Sequence, residues 1–254
     1  MLSGRRAIVT GAARGIGRAI AMDFARQGAD VALTDLEDTI PALEEIASEV
    51  HSLGGRAYVQ TADLQDGAAI KDFIDAADRT LGGINVLVNV AGVHLYPAPL
   101  LLMSETELDR ILDINFKAPL RLCQAAVPSM IRQGFGSVIN VASDSAFDVI
   151  AGEGAYGISK MAVVKFTAYL AKELSGTGVR VNALAPGWVR TRLTEPFRQD
   201  ADSFNEALRA IPAGRVAEPE EIAAVARFLA SDQSAYVNGH CLIADGGRIA
   251  GNPC

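Results

Sequence analysis

Between residues 7 and 89 the chain alternates short apolar runs with segments of helical periodicity, and this alternation restricts the fold more than any other feature. Ala7-Ile-Val-Thr10 reads as a buried strand, and the helix after it carries Ile16, Ala19, Ile20 and Phe24 on one stripe, up to a C-capping Gly28. Residues 30–35 read as the next strand, followed by a helix from Pro41 to about His51 that Gly54-Gly55 stop. A strand over 57–61 precedes a helix over 66–81, where Ile70, Phe73, Ile74 and Ala77 recur at helical spacing. The strand over 84–89 is apolar at its centre, as a strand covered on both faces should be. Strand–helix pairs in succession build a parallel sheet with right-handed crossovers.

The second half continues the pattern. A long helical region over 105–133 starts after an N-capping Ser104, and Ser137-Val-Ile-Asn-Val-Ala142 is the fifth strand. A helix over 154–175, a strand over 179–184 broken by Pro186-Gly187, a helix over 218–231 and a strand over 241–245 closed by Gly246-Gly247 complete it. The segment 189–215 is polar, has no strand period, and reads as a lid or substrate loop. No linker, repeat or low-complexity tract interrupts residues 1–254, so the expectation is one domain.

Two features point to a bound dinucleotide. Gly11, Gly15 and Gly17 lie between the first strand and its helix, where glycines let backbone N–H groups approach a pyrophosphate and the helix N-terminus favours its charge. Asp35 closes the second strand about twenty residues on. An acid there accepts hydrogen bonds from the adenosine ribose of NAD and repels the extra phosphate of NADP. Arg14, inside the turn, would welcome that phosphate, but the Asp35 charge would lie where the phosphate must sit. Asp63, after the third strand, reads equally as an acceptor for the adenine amino group and as the N-cap of the next helix.

A third feature carries chemistry. Tyr156 and Lys160 are four apart on a helical segment, so one turn brings their side chains to the same face. An ammonium beside a phenol favours phenolate and lowers the tyrosine pKa toward working pH, which suits a group that gives and takes a proton. Ser143 stands at the end of the fifth strand, where a hydroxyl can meet the tyrosine at the mouth of a parallel sheet.

The net charge of −7 speaks against nucleic-acid and anionic-membrane partners. Cys123, Cys241 and Cys254 are odd in number and show no metal spacing, which points to free thiols in a reducing compartment and to no metal. No signal-peptide pattern opens the chain and no apolar stretch reaches membrane-spanning length, so a cytoplasmic, soluble protein is expected.

Thr10-Gly-Ala-Ala-Arg-Gly-Ile-Gly17, Asp63, Asn89-Val-Ala-Gly92, Asn115, Ser143, Tyr156 with Lys160, Pro186-Gly187 and Asp245-Gly246-Gly247 occur in an order and at separations that together resemble the short-chain dehydrogenase/reductase family. The resemblance covers essentially the whole chain. It implies a Rossmann-like doubly wound sheet of about seven strands, order 3-2-1-4-5-6-7, with helices on both faces. It also implies Tyr156 as acid/base, Lys160 as its partner and ribose ligand, Ser143 as the hydroxyl that positions substrate, and Asn115 as holder of a water in a proton relay. The implied cofactor set is Gly11, Arg14, Gly15, Ile16, Gly17, Asp35, Asp63, Leu64, Asn89, Ala91, Gly92, Tyr156, Lys160, Pro186, Gly187, Val189 and Thr191. Family members are typically homotetramers paired through the long helices and the C-terminal strand region. One departure is Val90, where the family usually carries a second asparagine.

The implied reaction is hydride transfer between NAD and a secondary alcohol or ketone. His94, Asp144, Ser145, Phe147, Glu153, Trp188 and Arg192 are the candidate substrate wall, and their polarity suggests a sugar or polyol. Two alternatives compete: an NADPH-dependent 3-oxoacyl-(acyl carrier protein) reductase, and a non-catalytic dinucleotide-binding protein.

Overall fold

The computed structural model describes residues 1–95, 98–195, 204–205 and 208–250. Seven strands form one sheet in the order β3-β2-β1-β4-β5-β6-β7. They are β1 Arg6–Thr10, β2 Asp30–Thr34, β3 Ala57–Val59, β4 Val86–Asn89, β5 Gly136–Val141, β6 Val179–Pro186 and β7 Cys241–Ala244. Every neighbouring pair is parallel. The helices that position the sheet are α1 Gly15–Arg26, α2 Ile40–Ser52, α3 Gly67–Leu81, α4 Glu105–Leu112, α5 Ala118–Gln133, α6 Gly154–Glu173 and α7 Pro219–Ala230.

Successive strand residues point to opposite faces, and both faces are apolar. Val9, Val31, Leu33, Val86 and Val88 pack with α1, α2 and α7. Ile8, Ala32, Leu87 and Val138 pack with α3, α5 and α6. The chain runs outward from β1 to β3 and then returns to place β4 on the other side of β1. This reversal opens a crevice at the carboxyl ends of β1 and β4, where ligands bind in open α/β sheets. The expected strand order and two-faced architecture are both present.

β3 and β4 are each two residues shorter than read, ending at Val59 and starting at Val86, and two further differences bear on the site. β6 continues through Ala185 and Pro186, which pair with Ile243 and Ala244, instead of ending at Leu184. Proline at the last strand position sacrifices no interior ladder bond. The helical region over 105–133 is not one helix: a π-helical turn, Asp113–Lys117, separates α4 from α5. Pro119, in the first turn of α5, has no N–H to return to the preceding turn and so helps unseat the regular ladder there. π turns concentrate at functional sites, and this one carries Asn115.

Cys123 is buried and Cys241 half-buried, and both are free thiols pushed up to about 12 by burial. Cys254 lies outside the described residues. Among the described residues no helix is long and apolar enough to cross a membrane, and no cluster of His, Cys, Asp and Glu could hold a metal ion.

Phe24, fully buried on α1, belongs to the core shared with β1, β2 and α7. Phe24→Ala should lower the unfolding free energy by about 3–5 kcal/mol. The loss should read as a lower urea midpoint at unchanged slope; an unchanged midpoint would contradict the packing described.

Candidate active site

The crevice over β1 and β4 holds a cavity of about 420 Å³. Gly11, Arg14, Gly15, Ile16 and Gly17 wall one side, with Asp35, Asp63 and Leu64 beyond them and Ala91, Gly92 and Thr191 opposite. Gly17 packs so tightly on the turn that a Cβ there would lie 2.0 Å from the Gly11 carbonyl oxygen. Arg14, the N-cap of α1, makes no side-chain capping bond, and the first turn carries no acid. The leading N–H groups of α1 are therefore left for an anion.

Asp35 is fixed by two backbone donors: Ala13 N to Oδ2 at 3.1 Å and Leu36 N to Oδ1 at 2.9 Å. Its carboxylate thus braces the glycine turn while facing the cavity. Thr10 does comparable work on the other side, its Oγ1 accepting from Val90 N at 3.1 Å and Ala91 N at 3.2 Å. Asp63 is not the cap of α3. That role belongs to Asp66, whose carboxylate accepts from Ala68 N at 2.8 Å, whereas Asp63 accepts from Gln65 N at 2.9 Å and lines the cavity.

A second, smaller cavity of about 90 Å³ adjoins the first at Leu193. Ser143, Asp144, Ser145, Glu153, Tyr156, Gly187, Trp188 and His94 line it. Ser143 closes the run after β5, Tyr156 sits in the first turn of α6, and both line this cavity. The His94 ring meets the Tyr156 ring edge-on, with centroids 4.7 Å apart. Burial pushes Tyr156 up to about 12; Ser143 draws it down, and the charges of Asp144 and Glu153 push it further up.

Lys160 lies one turn further along α6, buried, its Nζ donating to the Val141 carbonyl at 3.0 Å. Nζ is 5.7 Å from the Tyr156 ring centroid. Burial raises the phenol, and the same burial depresses Lys160 to about 8. Asn115 stands close by, since a Cβ on Gly92 would come within 3.2 Å of both Asn115 Oδ1 and Lys160 Nζ. The Asn115 amide is engaged by protein: Oδ1 accepts from Val93 N at 2.8 Å, and Nδ2 donates to Val93 O at 2.9 Å and Ser159 Oγ at 3.0 Å.

Several expected residues fall elsewhere. The Asn89 side chain is buried, donating to Asn140 Oδ1 at 2.8 Å, and does not line the dinucleotide cavity. Pro186 is the last residue of β6, and Val189 is buried in a bridge with Ala217; neither lines that cavity. Gly187 lines the smaller cavity, and Arg192 lines the larger one. Phe147 packs against Ala142, Val163 and Ala185 instead of facing substrate, because the adjoining apolar cluster offers its ring a dry surface.

The sequence reading missed Arg248. Its guanidinium reaches back over the turn after β5, with Nε on Asp144 Oδ2 at 2.6 Å and Nη1 on Asp148 Oδ2 at 2.9 Å. Asp144 in turn accepts from Ser143 Oγ at 3.2 Å. Nothing local marks this arginine; the contact spans 104 residues.

The fold and these two cavities define a class. The family model described as Enoyl-(Acyl carrier protein) reductase matches residues 11–248. The chain belongs to the short-chain dehydrogenase/reductase family. It is 40% identical over 247 residues to D-threitol dehydrogenase of Mycolicibacterium smegmatis, covering 97% of this chain and 93% of that one. It is 38% identical over 248 residues to the 3-oxoacyl-[acyl-carrier-protein] reductase FabG of Thermotoga maritima, covering 98% and 99%. A solved structure described as a candidate NAD(P) dependent gluconate 5-dehydrogenase from Beutenbergia cavernae, with NADP bound at low occupancy, superposes with a TM-score of 0.92 at 40% identity, covering 98% of each chain.

Lys160 lets the cost of the site be read. A pKa lowered from 10.5 to about 8 means that burying the charged form costs roughly 3 kcal/mol. Below pH 8 the lysine is protonated in both folded and unfolded chains, so the full cost is present. Between about 8 and 10.5 the folded form sheds its proton first, and stability rises with pH. Lys160→Met should therefore be more stable than the parent by about 1–3 kcal/mol at pH 7. The advantage should shrink toward pH 10 in urea melts; a variant less stable at pH 7 would show the ammonium to be well solvated in place.

Proposed function

We propose that the chain is an NAD-dependent dehydrogenase that moves a hydride between the nicotinamide and a secondary alcohol or its ketone, with a sugar or polyol as substrate class. The observation that carries this reading is the junction of the two cavities. A phenol and a serine hydroxyl line a polar pocket that shares the Leu193 wall with a crevice suited to a dinucleotide. The residues fit that group: uncapped N–H groups of α1 for the pyrophosphate, and a braced carboxylate, Asp35, for the ribose. Bound NAD would supply the hydride acceptor and a positive charge that draws the phenol toward phenolate.

The chain's own groups do the rest. Tyr156 takes the hydroxyl proton in oxidation and returns it in reduction, for which a phenol raised to about 12 is already protonated at neutral pH. Ser143 orients the reacting oxygen. Lys160, buried behind Gly92, holds charge at the nicotinamide ribose, and Asn115 fixes the loop after β4 around it. A water relay through Asn115 belongs to this proposal.

Asp35 and the net charge of −7 favour NAD and a small neutral substrate over NADPH and an acidic carrier protein. The names of the threitol and gluconate relatives support the polyol reading. The segment 189–215 would serve as the lid, although residues 196–203 and 206–207 lie outside the described ones. A homotetramer in the cytoplasm completes the proposal; exposed Leu108 on α4 and Ile158, Met161 and Tyr169 on α6 support helix-to-helix pairing.

Two experiments test it. Tyr156→Phe should abolish turnover while NADH binding, followed by fluorescence, survives; retained turnover would reject the assignment. Asp35→Asn keeps an acceptor oxygen for the turn but drops the charge. It should move the NAD:NADP ratio of kcat/KM toward NADP by roughly tenfold or more, and an unmoved ratio would remove Asp35 from cofactor choice.

A further inference from the structure

Resting on the dehydrogenase reading, we propose that Glu153 determines specificity: its Oε1 accepts a hydrogen bond from a second hydroxyl beside the reacting carbinol. The enzyme would thereby select vicinal diols and polyols over mono-alcohols, and discriminate against substrates that bring a carboxylate to the same place.

Glu153 precedes α6 at its N-cap position, three residues before Tyr156. Residues so spaced lie near one another at a helix surface. An acid at an N-cap ordinarily spends its oxygens on the leading N–H groups of its helix. Glu153 makes no such capping bond. Its side chain, 18% exposed, turns into the smaller cavity alongside Ser143 and Tyr156.

The two carboxylate oxygens differ in what they meet. Oε2 accepts from Ser145 Oγ at 3.1 Å, which fixes the plane of the group. Oε1 has His94 Nε2 as its neighbour at 3.7 Å, too far for a hydrogen bond, and no described residue donates to it. A half-buried carboxylate oxygen that faces a cavity without a donor is costly unless something in the cavity provides one. Burial pushes His94 down, against the pull of Glu153. The His94 ring also packs edge-on against Tyr156, so the imidazole and the phenol stand together in the wall beside the acid.

Among the polar groups of this wall, the phenol and Ser143 serve the reacting oxygen, and Oε1 is left for a donor nearby. A neighbouring hydroxyl supplies that donor. A methylene leaves the oxygen unpaired, and a carboxylate meets like charge.

The test pairs alcohols that differ by one hydroxyl, butane-2,3-diol with butan-2-ol and four- to six-carbon polyols with their deoxy counterparts, each with NAD, and adds 3-hydroxybutyrate as the anionic probe. In the parent enzyme the diol should exceed its mono-alcohol in kcat/KM. In Glu153→Gln that preference should fall roughly ten- to hundredfold, while 3-hydroxybutyrate gains relative to butan-2-ol. Ser145→Ala, which frees the carboxylate plane, should lower the same preference by a smaller factor. NADH binding measured on each variant confirms a folded cofactor site. A diol preference that is absent in the parent, or identical in parent and Glu153→Gln, overturns the proposal and leaves the dehydrogenase reading standing. No turnover of any alcohol by a parent enzyme that binds NADH overturns both.

Discussion

A lysine ammonium kept out of water at the carboxyl edge of the sheet is the constraint around which the site is arranged. Lys160 is almost fully buried and has one hydrogen bond, to the Val141 carbonyl. Such a group survives only where its surroundings are rigid, because any opening would hydrate it. The rigidity has identifiable sources. Val141 ends β5, an interior strand flanked by β4 and β6. Gly92 leaves just the space that the Nζ and the Asn115 amide share. The π turn swings Asn115 inward, where it bonds both the backbone of Val93 and Ser159 on α6. Remove the π turn, and α6 and the β4 loop lose their common tie.

The same low-polarity setting governs the phenol. Burial raises Tyr156, and the nearby acids raise it further, so the site at rest favours a proton on the tyrosine. Two carboxylates close to an acid/base group would be a hindrance if both were free. Asp144 is not: Arg248 clamps it, and burial alone already pushes its carboxyl up. The C-terminal segment thus reaches back to pair one of the two acids that line the cavity, while Glu153 has no such arginine among the described residues. One of the amino groups of Arg248, Nη2, has no hydrogen-bond partner among the described residues. A guanidinium accepts that loss only where its other bonds are strong, as two carboxylates make them.

Much of this was legible in the sequence, for a physical reason. Strands covered on both faces write themselves as apolar runs, and helices against them as stripes, hence the seven strands; their order followed from the family resemblance. Groups bonded to their sequence neighbours, such as Asp35 to Leu36, or spaced by one helical turn, such as Tyr156 and Lys160, can be placed from spacing alone. What spacing cannot show is the sign of an environment. Tyr156 and Lys160 share a face as expected, yet burial moves their pKa values against the direction that their pairing suggests. Nor can spacing show contacts made across the fold. Thr10 with Val90, Arg248 with Asp144 and Asn89 with Asn140 are each local nonentities until the sheet assembles. The break in the 105–133 helix did leave a trace, Pro119, whose missing N–H marks the point where the regular ladder restarts.

Asn89 shows how a residue can match a family segment and still serve a different purpose from the one the match suggests. Its amide donates across to Asn140, which donates to Thr167 of α6 at 2.9 Å, so a short polar chain runs from β4 through β5 to the helix that bears the tyrosine. A buried chain of this kind resists sliding, since shifting either strand or helix by one residue leaves donors unmet. It fixes the register of α6 on the sheet, and with it the height at which Tyr156 and Lys160 stand above the strand ends. The chemistry at the cavity mouth therefore depends on hydrogen bonds made below it, where no ligand reaches.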